Sequence, residues 1–162
     1  MARDLAILSF ALALLSIGAL NRVRAQEQSP LTANEYTERG IACLRTDDFD
    51  GAIANFDKAI TLNPSNAVNY FRRGVTYMER GVDRRNKGDL TRAIVDLDKA
   101  IAVDPNNAVY YFSRGSVKLY QWRDQEAELD FRKSLKFDGK QKPEMARVIS
   151  VIKKKRKAAH MR

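Results

Sequence analysis

The stretch 52–64, Ala-Ile-Ala-Asn-Phe-Asp-Lys-Ala-Ile-Thr-Leu-Asn-Pro, returns at 93–105 as Ala-Ile-Val-Asp-Leu-Asp-Lys-Ala-Ile-Ala-Val-Asp-Pro. Small and large apolar residues recur at helical spacing, with Ala52, Phe56 and Ala59 matched by Ala93, Leu97 and Ala100. That spacing places them on one face of an α-helix. A proline closes each copy, where it cannot continue the helix. One amphipathic helix is therefore used more than once, and the rest of the chain is what precedes, follows or interrupts it.

The residues ahead of this helix repeat as well. Gly40, Gly74 and Gly115 each follow an arginine (Arg39, Arg73, Arg114), and an aromatic stands four residues earlier (Tyr36, Tyr70, Tyr111). The downstream helix is marked by Ala52, Ala93 and Ala127, then by Phe56, Leu97 and Phe131. Ala59, Ala100 and Ser134 follow, and Pro64, Pro105 and Gly139 close the copies. Glycine and small residues let two antiparallel helices approach closely while the aromatics fill the space around them. Asn66 and Asn107 turn the chain into the next pair.

At these residues the chain resembles the tetratricopeptide repeat family, whose pattern is an aromatic, a glycine, a further aromatic, then alanine, aromatic and proline. The resemblance covers about residues 33–139. It implies an all-α fold: a short right-handed α-solenoid of three helix pairs, at 33–66, 67–107 and 108–142, with a capping helix and basic tail at 143–162. The sequence departs from the pattern in having arginine where leucine is usual before the glycine. Cys43, Tyr77 and Lys118 occupy the next aromatic position.

Gly40 and Gly74 are 34 residues apart, but Gly74 and Gly115 are 41 apart. The excess lies within 78–87. Seven residues are close to two helical turns, with a drift of only about 20°. Lengthening the first helix of the second pair would keep its apolar face in register, and Gly81 is the main objection to that expectation.

At the N-terminus, Leu5 to Leu20 is nearly all apolar, shorter than the roughly 20 residues of a membrane-spanning helix. Val23 and Ala25 give the small-x-small pattern of a cleavage site. This predicts a signal peptide at 1–25, a linker at 26–32, and a periplasmic or secreted protein. The alternative is an uncleaved N-terminal anchor in the inner membrane.

The +9 net charge is unevenly placed. Residues 139–162 hold nine lysines and arginines against one glutamate, so the body is nearly neutral and the basicity belongs to the end. Met145, Val148, Ile149 and Ile152 form a stripe that predicts a capping helix from Pro143 to Lys157. The run Lys153, Lys154, Lys155, Arg156 and Lys157 is expected to leave that cap. It is either a solvated end or an attachment to an anionic surface; export makes nucleic acid an unlikely partner.

One cysteine and one histidine, Cys43 and His160, exclude an intrachain disulfide and any metal centre built from several such ligands. No phosphate-binding glycine loop and no nucleophile–base arrangement is present, so neither an enzyme nor a cofactor is expected. Cys43 stands where the motif buries a side chain and reads as an inert core thiol.

In the family, first helices line a concave groove that receives a peptide or helix. Carried over by position, the lining is Asn34, Thr37, Ile41 and Leu44, then Phe71, Arg72, Val75 and Met78, then Phe112, Ser113, Ser116 and Tyr120. Members that grip a C-terminal carboxylate place lysine and asparagine where this chain has Thr37, Phe71 and Phe112, then Ile41, Val75 and Ser116. That clamp is absent. The resemblance thus implies a non-catalytic adaptor whose groove takes an apolar side chain or an amphipathic helix. The competing expectation is that Phe71 and Phe112 pack between neighbouring repeats, and that the arginine row meets acids on the second helices.

Overall fold

A computed structural model describes residues 30–160. Among these residues the chain forms α1 (Ala33–Leu44), α2 (Phe49–Leu62), α3 (Ala67–Asp83), α4 (Lys87–Val103), α5 (Ala108–Tyr120), α6 (Asp124–Phe137), a 3₁₀ turn (Gly139–Gln141) and α7 (Lys142–His160). The expected signal segment and its cleavage point lie outside the described residues. None of the described helices is long and apolar enough to cross a membrane.

Short polar residues start α1 to α5 because the first turn leaves amide donors without intrahelical partners, whereas α6 starts at Arg123 without a side-chain cap. Thr32 and Glu35 form a reciprocal capping box at α1. Asn66 Oδ1 accepts from the Val68 amide at 3.0 Å, and Asn107 Oδ1 accepts from the Val109 amide at 3.1 Å. Each pair turns through a residue in the left-handed region: Asp47 (φ 55°), Arg85 (φ 51°) and Trp122 (φ 65°).

The pairs α1–α2, α3–α4 and α5–α6 close on the small residues. A Cβ added to Gly40 would stand 2.6 Å from the Phe56 ring, and one on Gly115 would stand 2.7 Å from Phe131. Those rings and Ala52, Ala59, Ala93, Leu97, Ala100 and Ala127 are buried, so the repeated segment supplies the seam of each pair.

The extra length of the second pair is shared rather than carried by its first helix alone. α3 and α4 each span 17 residues, against 12 to 14 in the other pairs. A single lengthened helix would leave its added turns without an antiparallel partner. Gly81 is what lets both extensions meet. A Cβ there would lie 3.1 Å from the Asn86 carbonyl oxygen, Asp89 Cβ and Leu90 Cδ2.

α7 covers the open side of the third pair. Met145 and Ile152 are buried, and Val148 and Ile149 pack with them against Leu119, Ala127 and Phe131. The helix runs through the basic stretch to His160, three residues past the expected end at Lys157. No proline or glycine interrupts residues 144–160, so nothing stops it earlier.

Candidate interaction surface

In the second and third pairs the arginine row faces inward to carboxylates. Arg73 donates from Nε and Nη2 to Asp96 on its own second helix, at 2.8 and 2.6 Å. Its Nη1 reaches Asp57 of the preceding pair at 2.6 Å. Arg114 repeats this with Asp130, at 2.9 and 2.6 Å, and with Asp98 at 2.6 Å. Each guanidinium thus staples three helices, and the planar five-donor fork of arginine suits a bidentate carboxylate plus a second acid.

Charge and desolvation are balanced within these staples. Burial pushes the Asp130 carboxyl up, but hydrogen bonds from Arg114 and Lys118 outweigh it and hold it below the ordinary carboxylate range. Arg39 is exposed, and Asn55 stands at the position that Asp96 and Asp130 fill in the later pairs. The first repeat therefore lacks the staple. Burial and the nearby Asp48 carboxylate push the Cys43 thiol up, against the opposing 3.8 Å contact from Asn55 Nδ2 to Sγ, and Cys43 is half-buried rather than fully in the core.

The expected groove residues meet different fates. Asn34 is exposed, and Ile41, Leu44, Val75 and Met78 are half-buried. The Thr37 hydroxyl lies 2.8 Å from Asn69 Oδ1, linking α1 to α3. Phe71 packs on Tyr110 with ring centroids 5.2 Å apart, and Phe112 packs on Phe131 at 5.8 Å. Both phenylalanines hold neighbouring helices together as well as facing outward in part. Ser113 and Ser116 are buried, and the Ser116 hydroxyl donates to the Phe112 carbonyl at 2.9 Å, so it presents nothing to a ligand. Tyr120 wedges between the core of the second pair and that of the third.

Arg72 contrasts with its neighbour. It is half-buried on α3, and its Nε is buried with no hydrogen-bond partner among the described residues. Val68 is 42% exposed and Val109 is 38% exposed, at the helix position matching Asn34. Reading by motif position pointed to Asn34 in the first copy, and the same count in the later copies reaches these two valines. Val68, Phe71, Arg72 and Val75 follow i, i+3, i+4, i+7 and share one face of α3.

One residue of the basic run departs from both the solvated end and the free attachment tail expected from the sequence. Arg156 is drawn into the cap: its Nη1 donates to the Leu119 carbonyl at 2.8 Å and to Asp124 at 3.0 Å. Its guanidinium lies 3.8 Å from the centroid of the Trp122 ring. Arg156 is therefore structural, closing the C-terminal end of α5, where orphan carbonyls favour a cation. Lys153, Lys154, Lys155 and Lys157 remain exposed on the helix.

Stacked helix–turn–helix pairs joined by short turns and closed by a terminal helix define an α-solenoid. Residues 33–66 are a tetratricopeptide repeat by direct match to that family, and the described helices have the tetratricopeptide-repeat fold. No curated protein sequence matches the chain significantly. Among solved structures, the TPR domain of Arabidopsis OM64 is similar at 26% identity and a TM-score of 0.62, over 76% of this chain and 93% of that one. MamA is similar at 27% identity and a TM-score of 0.59, over 69% of this chain and 61% of that one. The second TPR domain of human RPAP3, solved in complex with an HSP70 peptide, has a TM-score of 0.65 at 21% identity. That likeness covers 75% of this chain and 94% of that one.

Proposed function

We propose that the protein is a non-catalytic adaptor that holds a peptide or amphipathic helix of a partner protein along the first helices of its repeats. Arg72 carries this reading. Arg73 and Arg114, each preceding a motif glycine, are satisfied by two aspartates. Arg72 instead has a buried Nε with no partner among the described residues, on the helix face of exposed Val68 and half-buried Phe71 and Val75. A buried donor without an acceptor is costly, and a ligand carboxylate or carbonyl would relieve it. The fold's use by RPAP3 to hold a peptide supports the same kind of ligand. Here apolar contacts with a single cationic handle take the place of a lysine and asparagine clamp.

The reading places the adaptor in the periplasm or outside the cell, supported by the apolar run at 5–20 and the Val23–Ala25 pattern. The test is crosslinked capture of a partner from the protein's own envelope fraction, comparing the native chain with Arg72→Glu and Val68→Asp. Both positions can change without opening the seams of the pairs. The expected outcome is a partner captured by the native protein and lost by both variants at unchanged helicity. Capture that survives both substitutions sinks the reading.

A further inference from the structure

The seven added residues build something besides a longer hairpin. Where α3 and α4 run past their neighbours, they form one wall of a cleft of about 420 Å³. The end of α5 and the last turns of α7 form the other. Val82, Leu90, Tyr120 and Trp122 give it an apolar floor and side. Arg85, Lys87, Lys155 and Arg156 surround that floor, and no acidic residue lines the cleft. Arg156 is already matched by Asp124, which leaves Arg85, Lys87 and Lys155 as exposed rim cations. Gly81, Val82, Arg85 and Lys87 all lie within 78–87, where the second repeat carries its added length.

We propose that this cleft docks an acidic segment of a partner protein, taking an apolar side chain between Val82 and Trp122 and the flanking carboxylates at Arg85, Lys87 and Lys155. Charge complementarity selects the occupant, since three exposed cations with no lining acid favour an anion. Shape selects its class. Leu90 is buried and Val82 and Tyr120 are half-buried, whereas Trp122 and the three cations are exposed, so much of the apolar surface is less accessible than the cations around it. An extended peptide presents an apolar side chain and adjacent carboxylates at different depths. The site is separate from the Arg72 face and stands or falls without it.

Trp122 is the only tryptophan of the chain, so its emission reports on the cleft directly. The experiment titrates the full-length protein with a short synthetic peptide bearing one leucine between runs of glutamate. Parallel titrations use a glutamine-for-glutamate peptide, a serine-for-leucine peptide and phosphatidylglycerol vesicles. A saturable blue shift of Trp122 emission is expected with the first peptide. Binding should be about tenfold weaker or more for either control peptide, and for the triple variant Arg85→Glu, Lys87→Glu, Lys155→Glu. These three side chains are exposed, and circular dichroism checks that the variant keeps its helices. Equal binding of the glutamine peptide, a response to vesicles alone, no response of Trp122 to the acidic peptide, or unchanged binding by the variant would each overturn the proposal.

Discussion

Arg80 grips Asp89 through Nε and Nη2, each 2.8 Å from a carboxylate oxygen. This reproduces the hold of Arg73 on Asp96, one heptad along α3 and one heptad back along α4. Gly81 follows Arg80 as Gly74 follows Arg73, and Leu90 follows Asp89 as Leu97 follows Asp96. The outer acid shifts too: Arg80 also reaches Asp50, where Arg73 reaches Asp57. The added residues thus contain a second copy of the staple, which ties the long hairpin to α2 along its extended part.

Asp89 has no solvent exposure, and Arg80 is its main counter-charge. Arg80→Ala is expected to cost about 3 kcal/mol, because it leaves the buried carboxylate with only the exposed Arg92, at 3.0 Å, as counter-charge. Replacing both partners, Arg80→Met with Asp89→Leu, should recover most of that loss, since neither charge is then left buried and unpaired. Urea unfolding of the two variants beside the native chain measures the difference. Equal losses in both would show that shape rather than charge governs the site.

Acid should weaken the fold through these staples. Hydrogen bonds from Arg80 hold the Asp89 carboxyl below its ordinary range, and Asp130 is likewise held down despite its burial. For a depressed carboxylate, the unfolded chain takes up its proton first, at about pH 3.9. The stabilisation is therefore complete above that value and disappears as the pH falls through the lower folded value. The urea midpoint should be level from neutral pH to about 5 and fall below about 4. Asp89→Asn with Asp130→Asn should lower the plateau and flatten the fall.

Gly40 and Gly81 test how closely the helices of a pair approach. A methyl group at Gly40 meets a fully buried Phe56 ring at 2.6 Å, whereas one at Gly81 meets its neighbours at 3.1 Å. Gly40→Ala should cost about 2 kcal/mol, overpacking outweighing the helix-propensity gain of up to about 1 kcal/mol. Gly81→Ala should cost clearly less. Thermal unfolding followed at the helical band ranks them, and the reverse order would contradict the packing described.

Within the basic run, one residue should matter to stability and its neighbours should not. Arg156→Ala removes a carbonyl bond, an ion pair and a ring contact, and should cost about 1–3 kcal/mol. It should also shift Trp122 emission, because the guanidinium lies against that ring. Lys154→Ala, at an exposed position, should change stability by about 0.5 kcal/mol or less. Equal effects would return Arg156 to the solvated end that the charge run alone suggests.

Much of the fold was legible because its signals are local. The face of Ala52, Phe56 and Ala59, the recurring glycines Gly40, Gly74 and Gly115, and the stripe from Met145 to Ile152 each announce what they pack. The site was less legible. Thr37, Phe71 and Ser116 occupy family groove positions, yet a hydroxyl bridge, an aromatic contact and burial take up much of what they could offer. Position in a motif names a helix face, but it does not say how much of that face the next helix covers.

The sequence by itself determined the repeated helix, its pairing with a glycine-bearing partner, and a cap on the last pair. It could do so because small and large apolar residues at fixed intervals leave few ways to bury them. Tertiary structure alone decided that the added length would be split between α3 and α4, and that Gly81 would serve their contact. It also decided that Arg73 and Arg80 would each bridge two acids while Arg72 has none among the described residues, and that Arg156 would turn inward while the lysines beside it stay in water. Those outcomes depend on which carboxylate, ring or carbonyl a neighbouring helix brings within about 3 Å, the reach of a hydrogen bond. Separation along the chain does not encode that.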